Sequence, residues 1–224
     1  TQQILNFSKL DTAEKLLQIN LSELIVKTFS LLRGALSPEY NLAYNMPEKA
    51  VHVMAAEGRL AQVVVNLVIN SRDALEGGGD INIVLETCSD QEVLRRILPC
   101  EHKLAKYAVV KVIDNGKGMT PAVLQRVFEP YFSTKSNKGT GLGLSTVQTI
   151  VKSCGGVVDI LSKPEEGTTV SVYVPLIECE EEVKPAVERR ASLAKGTERV
   201  LIVDNEDPVR NILCVSLAHL GYRV

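Results

Sequence analysis

The chain has 224 residues, 45% hydrophobic and 23% charged, the balance of a globular protein with enough core for one full domain and part of another. Its 25 basic and 27 acidic side chains leave a net charge of −2, which gives no electrostatic footing for nucleic acid or an anionic membrane. No apolar run approaches the roughly 18 residues of a membrane span, and no signal-peptide pattern opens the chain. Cys88, Cys100, Cys154, Cys179 and Cys214 form no C-x-x-C and read as reduced thiols in a cytoplasmic setting. His52, His102 and His219 show no metal spacing.

In chain order, residues 1–14 read as the end of a helix. "LLQINLSELIVKTFSLLRGAL" predicts a short strand and then a helix, with Ser22 as candidate cap and Leu24, Ile25, Thr28, Leu31 and Leu32 on one face. "YNLAYN" and "AVHVMAA" predict strands separated by a turn at Pro47. Residues 58–79 predict a helix striped by Leu60, Val63, Val64, Leu67, Val68 and Leu75 and ended by Gly77-Gly78-Gly79. "DINIVLETC" alternates as a strand, 89–105 is a connector, and "YAVVKVIDNGKGM" is a strand running into a glycine turn. Thr120 and Pro121 open a short helix. Residues 129–141 read as an irregular loop, "LGLSTVQTIVKSCGG" as a helix closed by Gly155-Gly156, and "VVDILSKPEEGTTVSVYVPL" as a hairpin. This order predicts an α+β fold, a two-layer sandwich of a mixed sheet with helices on one face. A charged stretch with Pro185 and Gly196 then reads as a linker, 177–197, and 198–224 as a β-α-β fragment of a second, α/β domain.

Several polar residues interrupt these patterns. Asn66 and Asn70 share one face of the most apolar helix, with Asp73 three residues on. They are either boundary residues facing solvent or a row of oxygens offered to a ligand or a hard cation such as magnesium. Asp114 ends a buried strand before Asn115-Gly116-Lys117-Gly118, either as an Asx turn or as a carboxylate at the bottom of a cleft. Phe128 and Phe132 flank Pro130, as a loop anchor or a satellite apolar cluster. Lys135 and Lys138 precede Gly139, Thr140, Gly141, Leu142 and Gly143, where backbone amides at a helix start suit a polyphosphate. The glycine spacing matches neither the Walker nor the dinucleotide-binding loop.

Together these segments resemble the ATP-binding catalytic domain of sensor histidine kinases, within the wider family of gyrase, MutL and heat-shock chaperone ATPases. "NLVINSRDAL" resembles its N box, "DNGKGM" its first glycine box, "FEPYFSTK" its F box, "GTGLGLSTV" its second glycine box, and "EEGTTVSVYVPL" its terminal hairpin. The resemblance implies a Bergerat-type ATP-binding fold over 15–176, with ATP and Mg2+ as cofactors. It implies that Asn70 holds magnesium, with Asn66 near the phosphates and Asp73 in the same row. Asp114 would take the adenine amino group, Gly116 and Gly118 shape the base pocket, and Thr168 join the adenine network. Lys135 and the amides of Gly139, Thr140, Gly141, Leu142 and Gly143 would hold the phosphates as a mobile lid.

Hydrolytic members of that family carry a glutamate one turn before the magnesium asparagine. Asn66 stands there in this chain, so the resemblance implies a histidine kinase that transfers the γ-phosphoryl group to a histidine on an upstream helical hairpin. The alternatives are a self-sufficient ATPase and a binding-only ATP module. Residues 1–14 resemble the end of that hairpin, and "VLIVDNE" the start of a response-regulator receiver, with Asn205 where a second aspartate is usual. The expected partners are ATP, the hairpin, and a receiver or response regulator in a two-component phosphorelay. No membrane span is expected in this segment.

Overall fold

A helix that begins directly on the last residue of a strand sets up the N-terminal part of the structure. Strand β1 (Leu17–Asn20) runs into helix α1 (Leu21–Ala35) without a loop. The computed structural model describes residues 16–90, 94, 96, 106–134, 140–177, 199–201 and 221–222. The chain divides into two units, Thr1–Cys179 and Glu180–Val224. Residues 1–14, the linker beyond Ile177 and nearly all of the expected receiver fragment lie outside the described residues.

Because β1 leads straight into α1, the cap is Asn20 and not Ser22. Asn20 is extended, and its side chain accepts from the amides of Ser22 at 3.0 Å and Glu23 at 3.3 Å. Leu24, Ile25, Thr28 and Leu32 are buried, but Leu31 is 76% exposed. Leu21 and Phe29 extend the buried arc away from Leu31, which falls just outside it. Phe29 packs edge-on against Tyr44, with ring centroids 4.7 Å apart.

Strands β2 (Tyr40–Asn45) and β3 (His52–Ala55) follow, then helix α2 (Glu57–Ala74). The stripe Leu60, Val63, Val64, Leu67 and Val68 is buried. The helix stops at Ala74, before the glycines, and Leu75 is buried as the cap residue that follows. Strands β4 (Gly79–Cys88) and β5 (Tyr107–Asp114) come next, then the single turn α3 (Pro121–Leu124), opened by Thr120 as the sequence implies. Helix α4 (Gly143–Ser153) and the hairpin β6 (Val157–Lys163) and β7 (Gly167–Pro175) complete the unit.

A five-stranded sheet has the order β2-β4-β5-β7-β6. Only β2 and β4 pair in parallel, and the crossover between them contains α2. The other pairs are antiparallel. β1 and β3 form a separate antiparallel pair, which the strand pattern alone did not distinguish, and a bridge from Val53 to Leu176 links β3 to the end of β7.

Alternation places Ile81, Ile83 and Leu85, Ala108, Val110 and Val112, and Val170, Val172 and Val174 on one sheet face. The buried sides of α1, α2 and α4 belong to the same core. The opposite face carries a small cluster of Leu94, Tyr107, Val109 and Tyr173. The architecture is the expected α+β two-layer sandwich. Among the described residues, no helix is long and apolar enough to cross a membrane.

The shifted buried arc of α1 separates two leucines that look alike in sequence. Leu24→Ala is expected to destabilise the unit by about 2–5 kcal/mol, and Leu31→Ala by less than about 0.5 kcal/mol. Urea unfolding of the two variants measures both.

Candidate functional site

The site forms where the C-terminal half of α2 crosses the ends of β5 and β7. Antiparallel pairing sets Asp114 opposite Thr168. From the helix layer, Ser71 reaches the same point, and its hydroxyl donates to Asp114 Oδ2 at 2.8 Å. The Gly116 amide donates to Oδ1 at 3.0 Å. Ser71, Asp114 and Thr168 are all buried. Burial pushes the Asp114 carboxyl above its ordinary value, against the opposing pull of the bonds from Ser71, Gly116 and the Thr168 backbone.

The turn after β5 is shaped by a close approach. Gly118 has φ +64°, and a Cβ there would lie 1.8 Å from the Lys163 carbonyl oxygen. Only glycine lets the β6–β7 hairpin rest on this turn. The contact is reinforced by the Glu165 amide donating to Lys117 O at 2.8 Å and the Met119 amide donating to Ser162 Oγ at 2.9 Å.

Helix α4 enters from the other side. Its cap residue Leu142 offers no side-chain acceptor, and its first turn holds no acidic residue. Neither its cap residue nor its first turn thus offers the N-terminal amides an acidic counter-charge. A Cβ on Gly143 would lie 3.3 Å from the Asn70 side-chain amide, so the two helices meet there. Asn70 Nδ2 is buried with no hydrogen-bond partner among the described residues. The loop before α4 is closed at its neck, where the Tyr131 amide donates to Gly141 O at 3.0 Å. Gly141 has φ +66°, and a Cβ there would lie 2.3 Å from the Tyr131 carbonyl carbon.

Asn66, Asn70, Asp73, Asp114, Gly118, Thr140, Gly141, Gly143 and Thr168 thus line one cavity of about 370 Å3. Gly116 contributes through its bond to Asp114, and Leu142 stands at the cap of α4. Phe132 also lines the cavity, with the Arg126 guanidinium 4.4 Å above its ring. Lys135 and Gly139 lie outside the described residues. Asp73 accepts from Arg72 Nε at 2.9 Å and a terminal nitrogen at 2.6 Å.

Sequence reasoning missed Ser71 and Ser162. Ser71 sits four residues after Leu67 on the buried stripe of α2, so periodicity marked it as a buried polar group. Nothing local marked Ser162.

Residues 55–178 match the family described as histidine kinase-, DNA gyrase B-, and HSP90-like ATPase. The chain belongs to that family. Relatives of this ATPase domain include the sensor kinase CckA of Brucella abortus (strain 2308), 33% identical over 235 residues. The match covers 100% of this chain and 24% of CckA. The sensor histidine kinase ZraS of Klebsiella oxytoca is 35% identical over 159 residues, covering 70% of this chain and 31% of ZraS. The chain therefore spans less than a third of either relative. Among solved structures, the catalytic domain of the histidine kinase ThkA shares the fold with a TM-score of 0.58 at 24% identity, covering 72% of this chain and 96% of that one. Full-length ShkA in complex with AMPPNP gives 0.62 at 21% identity, covering 99% of this chain and 43% of that one.

The raised Asp114 carboxyl of this ATPase-family domain has a consequence for stability. The native state binds the proton more tightly than the unfolded chain, so Asp114 disfavours folding increasingly as pH rises above the ordinary value of 3.8. Asp114→Asn keeps an acceptor for Gly116 and a partner for Ser71 but carries no charge. The unliganded variant is expected to be at least as stable as the parent at pH 7, with the difference shrinking toward pH 4. Urea unfolding across that range tests this.

Proposed function

We propose that the cavity binds Mg2+–ATP and that the domain transfers the γ-phosphoryl group to a histidine on a helical hairpin of the same kinase. The observation that carries this reading is the buried Asn70 Nδ2, without a partner among the described residues, beside a start of α4 that no side chain caps, both on the cavity that holds Asp114. An orphaned amide and unanswered helix amides call for a polar, anionic guest. The family match and the names of CckA and ZraS support the same chemistry.

In this reading, Asp114 accepts from the 6-amino group of adenine, Thr168 joins that contact, and Gly116 and Gly118 shape the wall beside the base. Asn70 offers its side-chain oxygen to magnesium, and Asn66 and Asp73 stand in the same row. Magnesium usually takes only one or two protein ligands and keeps the rest as water and phosphate oxygens, so this donor set fits it. When bound, the ion neutralises phosphate charge. Lys135 and the amides of Gly139, Thr140, Gly141, Leu142 and Gly143 hold the phosphates.

Asn66 cannot remove a proton from water, which favours a nitrogen nucleophile over hydrolysis. The imidazole nitrogen forms a bond to the γ-phosphorus as the bond to the β-bridging oxygen breaks, and ADP leaves. Positioning and charge neutralisation do most of the work. Residues 1–14 are assigned to the end of the hairpin, 15–176 to the catalytic domain, 177–197 to a linker, and 198–224 to the start of a receiver. The setting is a cytoplasmic two-component system.

The test supplies the full-length kinase, or a matching hairpin bearing the histidine, together with γ-labelled ATP. Acid-labile, alkali-stable labelling of the hairpin is expected. Asn70→Ala and Asp114→Ala are each expected to lower it by about 10- to 100-fold, as loss of a buried polar partner does. Labelling that survives both substitutions overturns the assigned cavity. Sustained phosphate release by this chain alone points to a self-sufficient ATPase, and tight binding without transfer to a binding-only module.

A further inference from the structure

We infer that Ser162 of β6, which does not itself line the cavity, sets the hydrogen-bond polarity of Thr168 and thereby makes the base end of the site selective for a 6-amino purine. This rests on the nucleotide-binding reading above.

Ser162 Oγ has three partners. It accepts from the Met119 amide at 2.9 Å, donates to the Gly167 carbonyl at 3.0 Å, and lies 2.9 Å from Thr168 Oγ1. A serine hydroxyl has one proton. The Gly167 carbonyl can only accept, so that proton is committed to it. Either hydroxyl could donate in the contact with Thr168, and with the Ser162 proton on the Gly167 carbonyl the donor is Thr168. The threonine hydroxyl is left with lone pairs alone to offer the cavity it lines.

Asp114 pairs with Thr168 across β5 and β7 and, when ionised, also offers acceptors alone. An exocyclic amine brings protons to this end of the cavity, whereas a 6-oxo group brings lone pairs to a buried set of lone pairs. Thr168 is 8% exposed and Asp114 6%, so bulk water does little to relieve that mismatch. The partners of Ser162 come from the turn after β5, from the hairpin tip and from β7. One hydroxyl therefore couples the stacking of the hairpin on Gly118 to the direction of the Thr168 proton. Removing it frees Thr168 to turn its proton into the cavity, where a 6-oxo group can accept it.

Calorimetric titration with ADP and with IDP, which carries a 6-oxo purine, tests this on the parent chain, Ser162→Ala and Ser162→Thr. The parent is expected to prefer ADP. Ser162→Ala is expected to narrow the ADP-to-IDP affinity ratio by about three- to tenfold, the worth of one hydrogen bond. Ser162→Thr, which keeps the hydroxyl and suits a strand, is expected to preserve the ratio. If Ser162→Ala does not fold, Ser162→Cys, with its weak donor, is expected to narrow the ratio in the same direction. A variant that weakens both nucleotides equally, or neither, overturns the role of Ser162 and leaves nucleotide binding standing. A parent chain that binds neither nucleotide overturns the binding reading, and the role of Ser162 with it.

Discussion

The structure turns on one buried carboxylate. Asp114 lies at the end of β5, where solvent is excluded and its charge is disfavoured. It is tolerated because donors reach it from three sides, the Ser71 hydroxyl from the helix layer, the Gly116 amide from the turn and the Thr168 backbone from β7. The Gly116 bond is local to the turn, whereas the Ser71 bond forms only once α2 has packed on the sheet. The packing of α2 on the sheet and the path of the chain after β5 are therefore tied to the same functional atom pair. A structural role alone gives no reason to retain a charge that burial opposes, whereas the adenine amine of the proposed reading supplies one.

The glycine turn shows the same dependence. Gly118 allows the β6–β7 hairpin to sit on the turn, and that seating brings Ser162 within reach of Met119 and Thr168. The opposite wall depends on the meeting of α2 and α4 at Asn70 and Gly143. A larger residue at Gly143 would press on the Asn70 side-chain amide. The two ends of the cavity are thus built by different interfaces of one sandwich, one by sheet and hairpin and the other by helix against helix; the proposed reading gives the first to the base and the second to the phosphates.

Much of this was legible in sequence because it depends on local spacing. The asparagines four apart on α2, the strand ending in Asp114 and the glycines at the start of α4 are short-range patterns, and the cavity gathers Asn66, Asn70, Asp114, Gly141 and Gly143. The errors arose where neighbours along the chain compete. Ser22 is a reasonable cap until β1 is seen to end at Asn20, one residue before the helix starts. Leu31 fits an apolar stripe until Phe29 finds Tyr44 and draws the buried arc the other way.

The sequence by itself determined the alternation of helices and strands, the α+β class and the family, because these follow from hydrophobic period and from motifs contained within a few turns of chain. Only the tertiary structure decided that β1 and β3 form their own pair, that Ser71 bonds Asp114 and that Ser162 meets both Met119 and Thr168. Those contacts join positions up to 43 residues apart, as Ser71 and Asp114 are. A hydroxyl's choice of partner depends on where separate segments come to rest after the core has packed.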